Sequence, residues 1–252
     1  MHGLKFHGTE RECGAEAKPF LDFELIPATQ AEQLLILVAA SQPQRRGSRR
    51  GEIVGRTIDV ALALVLIAFL LPFLALLVAA IAILDPGPVV FAHRRIGRDG
   101  CQFDCYKFRT MQVGAESEIA RLLAKSPALR AEWAQGQKLV HDPRVSGFGR
   151  LLRATCLDEL PQLLNVLAGD MSLVGPRPII ASELSRYGRY ASSYLSVRPG
   201  LTGLWQVSRS RQTTYRRRVA TDVLYVRRKS LALNCKILLA TIPAVLMGKA
   251  CY

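Results

Sequence analysis

Two adjacent carboxylates, Asp158 and Glu159, sit in Leu157-Asp158-Glu159-Leu160-Pro161-Gln162, and a proline-flanked arginine follows in Gly175-Pro176-Arg177-Pro178. Neighbouring acids repel each other, and a divalent cation or a reaction that uses the negative charge compensates for this. A proline on each side of Arg177 restricts the backbone and limits where the guanidinium can point. Acids beside a fixed cation point to phosphate and metal chemistry. The bland alternative is that acidic residues are common in the first turn of a helix, where the dipole favours negative charge.

The elements that must hold these groups can be read in outline. A helix is expected from near Leu157 or Asp158 to about Leu167, with Pro161 in or near its first turn, where a missing donor costs little. Leu157, Leu160, Leu164 and Leu167 fall on one stripe, Leu163 lies beside it, and the two acids lie off it. Upstream, residues 89–94 and 102–108 flank Gly97-Arg98-Asp99-Gly100, a hairpin signal with Asp-Gly at the tip. Between hairpin and acids, residues 114–135 read as one surface helix with Leu122, Leu123, Leu129 and Trp133 on its apolar side.

One segment is apolar throughout. Residues 60–84, bounded by Asp59 and Asp85, carry no charge. As a straight helix they would be roughly 37 Å long, enough to cross a ~30 Å hydrocarbon core. Two features favour a re-entrant hairpin over an ordinary span. Arg45, Arg46, Arg49, Arg50 and Arg56 precede the segment, while His93, Arg94, Arg95, Arg98, Lys107 and Arg109 follow it. Positive flanks belong on the cytoplasmic side, and a single crossing cannot put both there. Pro72, near the middle, is expected to break the helix into halves of only ~20 Å each.

The 252 residues are 50% hydrophobic with a formal charge of +14, which suits nucleic acid, anionic headgroups or phosphorylated substrates. No RNP-type aromatic platform, zinc finger or helix-turn-helix supports nucleic acid as the partner. The six cysteines form no CxxC or regular framework and read as free thiols on a reducing, cytosolic face. The first thirty residues show no signal peptide, and residues 1–44 read as a weakly ordered extension. From Trp205 onward basic residues face a single acid, Asp222. The last apolar run, 237–247, contains Pro243 and reads as core or as an interfacial helix.

Taken in order, several blocks resemble the bacterial sugar transferase family, the monotopic polyprenyl-phosphate hexose-1-phosphate transferases that start exopolysaccharide and O-antigen repeat units. The blocks are His93-Arg94-Arg95-Ile96-Gly97, Tyr106-Lys107-Phe108-Arg109-Thr110-Met111, Asp142-Pro143-Arg144-Val145 and Leu157-Asp158-Glu159-Leu160-Pro161-Gln162. They continue with Gly169-Asp170-Met171-Ser172-Leu173-Val174-Gly175-Pro176-Arg177-Pro178 and Arg198-Pro199-Gly200-Leu201-Thr202-Gly203-Leu204-Trp205-Gln206-Val207.

The resemblance implies an α+β fold, mainly helical. It divides into a basic flank and re-entrant membrane hairpin over 45–88 (Arg56, Asp59 and Pro72) and a compact cytosolic catalytic domain with a small β-hairpin over 89–252. It implies Asp158 as nucleophile, Glu159 with Asp158 as partners of Mg²⁺, and Arg177, Lys107, Arg109, Arg144 and Arg211 as substrate contacts. The implied partners are a UDP-hexose, polyprenyl (undecaprenyl) phosphate, the lipid bilayer and other polysaccharide assembly proteins, with no nucleic acid. The implied location is the bacterial inner membrane with the catalytic domain on the cytoplasmic face. Galactose or glucose is the sugar suggested by the exopolysaccharide-initiating members.

Some positions depart from the family pattern. Leu71-Pro72 replaces a common Ser-Pro, Gly55-Arg56 a Lys-Arg pair, and Ser208-Arg209-Ser210 a Ser-Gly-Arg, with Arg211 adjacent. The altered loop keeps a second reading open: a non-catalytic membrane scaffold or regulator of a polysaccharide assembly complex.

Overall fold

The computed structural model describes residues 49–136, 139, 141–208 and 214–246. The proposed extension 1–44 and the loop carrying Arg209, Ser210 and Arg211 lie outside these residues. The chain opens with α1 (Arg49–Leu84), rich in Leu and Ala, which are strong helix formers. The helix runs through Pro72 without interruption. The expected break at Leu71-Pro72 is therefore absent from the secondary structure; one proline withdraws one backbone donor, and the flanking turns hold. Among the described residues α1 is the one helix long and apolar enough to cross a membrane.

α1 touches the rest of the protein along a single stripe. Ala63 and Ile67 pack into a core with Phe103, Leu163, Val166 and Met171. Leu74, Leu77 and Ile81 pack into another with Phe108, Leu152, Leu157 and Leu160. Polar contacts fasten its N-terminal part. Arg56 donates to the carbonyls of Val166 and Leu167 at 2.6 and 3.0 Å. Asp59 accepts from the Ser172 hydroxyl at 2.7 Å and the Leu173 N–H at 3.2 Å. The remaining faces are open: Phe69, Leu76 and Ile83 are 79, 71 and 76% exposed.

The hairpin forms as expected, slightly longer, with β1 (Val90–Ile96) antiparallel to β2 (Gln102–Phe108). Asp99 at its tip takes a left-handed conformation, φ 57°. The single surface helix expected over 114–135 is two, α2 (Ala115–Lys125) and α3 (Pro127–Gly136). Ser126 turns extended before Pro127, which disfavours helical backbone in the residue ahead of it. α4 (Gly147–Ala154) starts at Ser146, whose hydroxyl accepts the Gly149 N–H.

The acid pair also departs from expectation. It lies in a 3₁₀ turn, Leu157–Glu159, entered through Cys156 at φ 56°, and the helix α5 (Gln162–Ala168) begins only after Pro161. This shift rotates the stripe: Leu163 and Val166 are buried, whereas Leu164 is exposed. Gly169 at φ 93° ends the helix. A parallel pair that the sequence did not reveal follows, β3 (Ser172–Val174) beside β4 (Gly200–Thr202). Between them lie α6 (Ala181–Leu184) and α7 (Ala191–Leu195). After them come α8 (Leu204–Ser208), α9 (Tyr215–Arg228) and α10 (Leu231–Leu246). One face of α10 is core, with Ile237 and Ala244 buried, and another is open, with Leu239 and Ile242 exposed.

The cysteines differ from the free-thiol expectation. Cys105 and Cys235 are free, but Cys101 and Cys156 each take part in a disulfide, so cysteine usage carries no argument about compartment.

Candidate active site

Asp158 is placed by its neighbours. Leu157 and Leu160 pack against the core cluster that holds Leu77 and Ile81 of α1, and the tight turn between them folds Asp158 inward to 5% exposure. Opposite stands β2, whose inner face carries Phe103, Cys105 and, two residues on, Lys107. Asn165, fully buried, locks the two elements together. It accepts the Tyr106 N–H at 3.0 Å and donates to the Asp104 carbonyl at 2.7 Å. Lys107 is thereby brought to the acids, with Nζ 2.6 Å from Glu159 Oε1 and 3.5 Å from Asp158 Oδ2.

Arg177 arrives from the other side, Nη2 2.9 Å from the same Glu159 oxygen. Its turn is fixed by close backbone contact between two loops. The Gly175 N–H donates to the Thr202 carbonyl and the Gly200 N–H to the Pro176 carbonyl, at 2.9 and 2.8 Å. A Cβ at Gly200 would lie 2.0 Å from Gly175 N, so only glycine fits there. Arg218 reaches the Arg177 carbonyl at 3.4 Å from behind.

The two acids experience different fields. Burial pushes the Asp158 carboxyl above its ordinary value; Lys107 opposes this and the Glu159 charge adds to it. Burial also works against ionisation of Glu159, but Arg177 and Lys107 outweigh it and bring its carboxyl down to about 2. Neighbouring titratable groups driven apart in this way mark sites with divided roles. Glu159 is a permanent anion. Asp158 sits in a partly desolvated setting, with Lys107 and Arg177 favouring its charged form, a chemistry open to an oxygen nucleophile.

The concavity beside them is lined by Arg95, Cys105, Lys107, Glu159, Gln162, Arg177, Pro178, Gly200 and Leu201. The other residues read from the sequence lie elsewhere. Arg109 is buried and binds the Asp85 carbonyl and carboxylate at the end of α1. Arg144 forms a two-pronged pair with Asp142, 2.8 and 2.6 Å, donates to the Ala115 carbonyl and lies over the Trp133 ring. Neither lines the concavity; both stabilise the frame around it. Arg56 and Asp59 fasten α1, and Arg211 lies outside the described residues. Sequence reading did not single out Arg95, Gln162 or Asn165 for the site. Arg95 could have been found, because hairpin register puts it on the same strand face as Lys107.

No cage of three or more His, Cys, Asp or Glu side chains that could hold a metal occurs among the described residues. Asp158 and Glu159 nevertheless fit Mg²⁺, which commonly takes one or two carboxylates and leaves its remaining positions to water and substrate phosphate. Glu159, ionised throughout the physiological range, is the donor suited to it.

The site is a cationic concavity that reaches Glu159, with the buried Asp158 next to it in the chain, in a body packed against a helix with uncovered apolar faces. The chain belongs to the bacterial sugar transferase family, whose model matches residues 50–248. It is 42% identical over 212 residues to the exopolysaccharide production protein ExoY of Sinorhizobium fredii, covering 83% of this chain and 94% of that one. It is 41% identical to the UDP-galactose-lipid carrier transferase of Erwinia amylovora, over 88% of this chain and 46% of the relative. It is 40% identical to the UDP-glucose:undecaprenyl-phosphate glucose-1-phosphate transferase of Caulobacter vibrioides, over 78% and 71%. The chain thus spans nearly all of the first relative and about half of the second.

Proposed function

We propose that the protein transfers a hexose 1-phosphate, galactose or glucose, from a UDP-sugar to a membrane polyprenyl phosphate such as undecaprenyl phosphate. The observation that carries this reading is the buried Asp158 beside Lys107, with Glu159 clamped between Lys107 and Arg177. An Asp158 oxygen attacks the sugar-bearing phosphorus; the new O–P bond forms as the bridging P–O bond breaks, and UMP departs. A phosphate oxygen of the polyprenyl phosphate then attacks that phosphorus. The Asp158–phosphorus bond breaks, the carboxylate is regenerated, and a polyprenyl diphosphate sugar is released. A carboxylate suits both steps because it is a nucleophile without a general base and a competent leaving group.

Lys107 and Arg177 hold the phosphate oxygens and offset the charge that builds up around the attacked phosphorus. Mg²⁺ held by Glu159 and Asp158 would screen the repulsion between pyrophosphate and nucleophile.

The acceptor keeps its tail in lipid, so the site must sit at the membrane surface. We propose that the chain lies in the inner membrane, its body on the cytoplasmic face, with α1 bending at Pro72 within its continuous helix so that it stays in one leaflet. Support comes from the contact stripe. Arg56 and Ile81, both in contact with the body, are ~37 Å apart along the helix, so a crossing α1 would draw the body into the bilayer. Thiols introduced at Arg50 and at Asp99 should both react only from the cytoplasm, and opposite accessibility would show a span.

The activity test is UMP release from a panel of UDP-hexoses with polyprenyl phosphate and Mg²⁺. Release with one or more sugars, lost in Asp158→Asn, is expected. Silence across the panel, or a fully active Asp158→Asn protein, would reject the reading and favour a scaffold.

A further inference from the structure

Arg95, Lys107 and Arg177 are the three cations lining the concavity, against the single carboxylate Glu159. Lys107 and Arg177 converge on one Glu159 oxygen. Arg95 pairs instead with Glu183, and only loosely, Nη1 to Oε2 at 3.8 Å. That same oxygen accepts the Ile180 N–H at 3.2 Å, and the other faces Arg218 at 3.7 Å. Glu183 is thus shared among two guanidiniums and a helix start, and its hold on Arg95 is weak.

The strand explains where Arg95 points. It lies opposite Phe103, on the face that also carries Cys105 and Lys107. Arg94 takes the other face and pairs with Asp104 at 3.1 Å on the surface. Along the hairpin, Arg95 and the residue facing Lys107, Phe91, are four positions apart, ~13 Å of strand. The two cations therefore enter the concavity from different ends. Lys107 reaches the nucleophile, and Arg95 covers the end away from it. The Arg95 side chain is 23% exposed and shares the concavity with Cys105, Pro178 and Leu201, and such partial shielding from water strengthens a charge-assisted bond to phosphate.

We propose that Arg95 is a substrate-contact residue that binds the nucleoside-side phosphate, the one that departs with UMP. This rests on the donor reading above and adds which phosphate the third cation takes. The planar fork of Arg matches two phosphate oxygens, whereas Lys supplies a single point of charge.

The test is equilibrium binding of UMP to the full chain in lipid nanodiscs with Mg²⁺, together with KM for the UDP-sugar. Arg95→Gln should weaken UMP binding roughly 10- to 100-fold and raise KM in parallel, with Arg95→Lys between it and wild type. Arg94→Gln removes the same formal charge from the opposite face and should leave both values within about threefold. Glu183→Gln should do likewise. Unchanged UMP binding in Arg95→Gln overturns the assignment. So does an equal loss in Arg94→Gln, which would indicate net charge alone, or in Glu183→Gln, which would make Arg95 a packing partner. Should Arg95→Gln fail to fold, Arg95→Lys decides, and binding equal to wild type overturns the proposal. Wild-type protein that does not bind UMP overturns it as well. UMP binding that depends on Arg95 without sugar transfer would sink the proposed reaction and leave the Arg95 assignment standing.

Discussion

α1 and the acid turn meet at one core cluster, yet they treat their side chains in opposite ways. α1 leaves Phe69 and Leu76 almost uncovered, while the acid turn buries Asp158. A protein designed only for water would do the reverse on both counts, since exposed apolar area and buried charge are each unfavourable there. The two exceptions are mechanically joined. Leu77 and Ile81 of α1 belong to the core cluster on which Leu157 and Leu160, the residues on either side of Asp158 and Glu159, also pack. In the proposed reaction the depth of α1 in lipid would therefore set the depth of Asp158, which is what a reaction between a soluble sugar nucleotide and a lipid-tethered phosphate requires.

The contrast can be broken most sharply at the acid turn. Asp158→Asn keeps the size and loses the charge, and should lower the UMP-release rate by about a thousandfold or more, ~4 kcal/mol. The cations separate next. Arg177→Gln should reduce kcat/KM by about a hundredfold, roughly 3 kcal/mol, with little change in folding. Arg109→Gln should instead destabilise the fold by about 3 kcal/mol, since it leaves Asp85 without its buried partner, and active molecules that remain should keep their KM. Denaturation midpoints and steady-state kinetics on the same preparations would show a mixing of these signatures if the division is wrong.

On α1, Ile81→Ala should cost about 2–4 kcal/mol in detergent, because Ile81 is 1% exposed in the core. Phe69→Ala should leave that stability nearly unchanged and weaken partition into bilayers, as measured by flotation with liposomes. Equal effects from the two would mean that the helix face assignment is mistaken.

The smallest expected effect is on pH dependence. Asp222 is buried among Tyr187, whose hydroxyl donates to it at 2.7 Å, and Arg218 at 3.9 Å. Burial raises its carboxyl to about 6, with Arg218 and Tyr187 pulling the other way. The folded state then holds this proton more tightly than the unfolded chain. Asp222 therefore contributes stability fully below the ordinary carboxyl range, and the contribution is lost as pH rises through about 6. Denaturant unfolding from pH 4 to 7 should show a loss on the order of 2 kcal/mol from this group, and Asp222→Asn should remove that component.

Much of this was legible in the sequence because its signals were local. The Asp-Gly hairpin, the apolar run and the Pro-Arg-Pro turn each depend on neighbouring residues. What was hidden depends on long-range contact. The phase of the acid turn is hidden because Cys156 adopts a left-handed backbone and the helix starts only after Pro161, so that Leu164, on the expected stripe, is exposed and Leu163, beside it, is buried. The parallel pair β3–β4 joins three-residue strands too short for any period to register. Arg109 and Arg144 look the same as Lys107 in a string of basic residues; only the folded chain separates them, by giving the arginines the carboxylates of Asp85 and Asp142. Asn165, which ties α5 to β2, has no sequence signature at all.

The most direct test is to mix the protein with the reactive UDP-sugar and Mg²⁺ in the absence of polyprenyl phosphate, quench, and map the chain by mass spectrometry. The account predicts about one UMP released per active site and a hexose phosphate on the peptide containing Asp158, discharged when polyprenyl phosphate is added. UMP release that strictly requires the acceptor, with Asp158 unmodified, would contradict it.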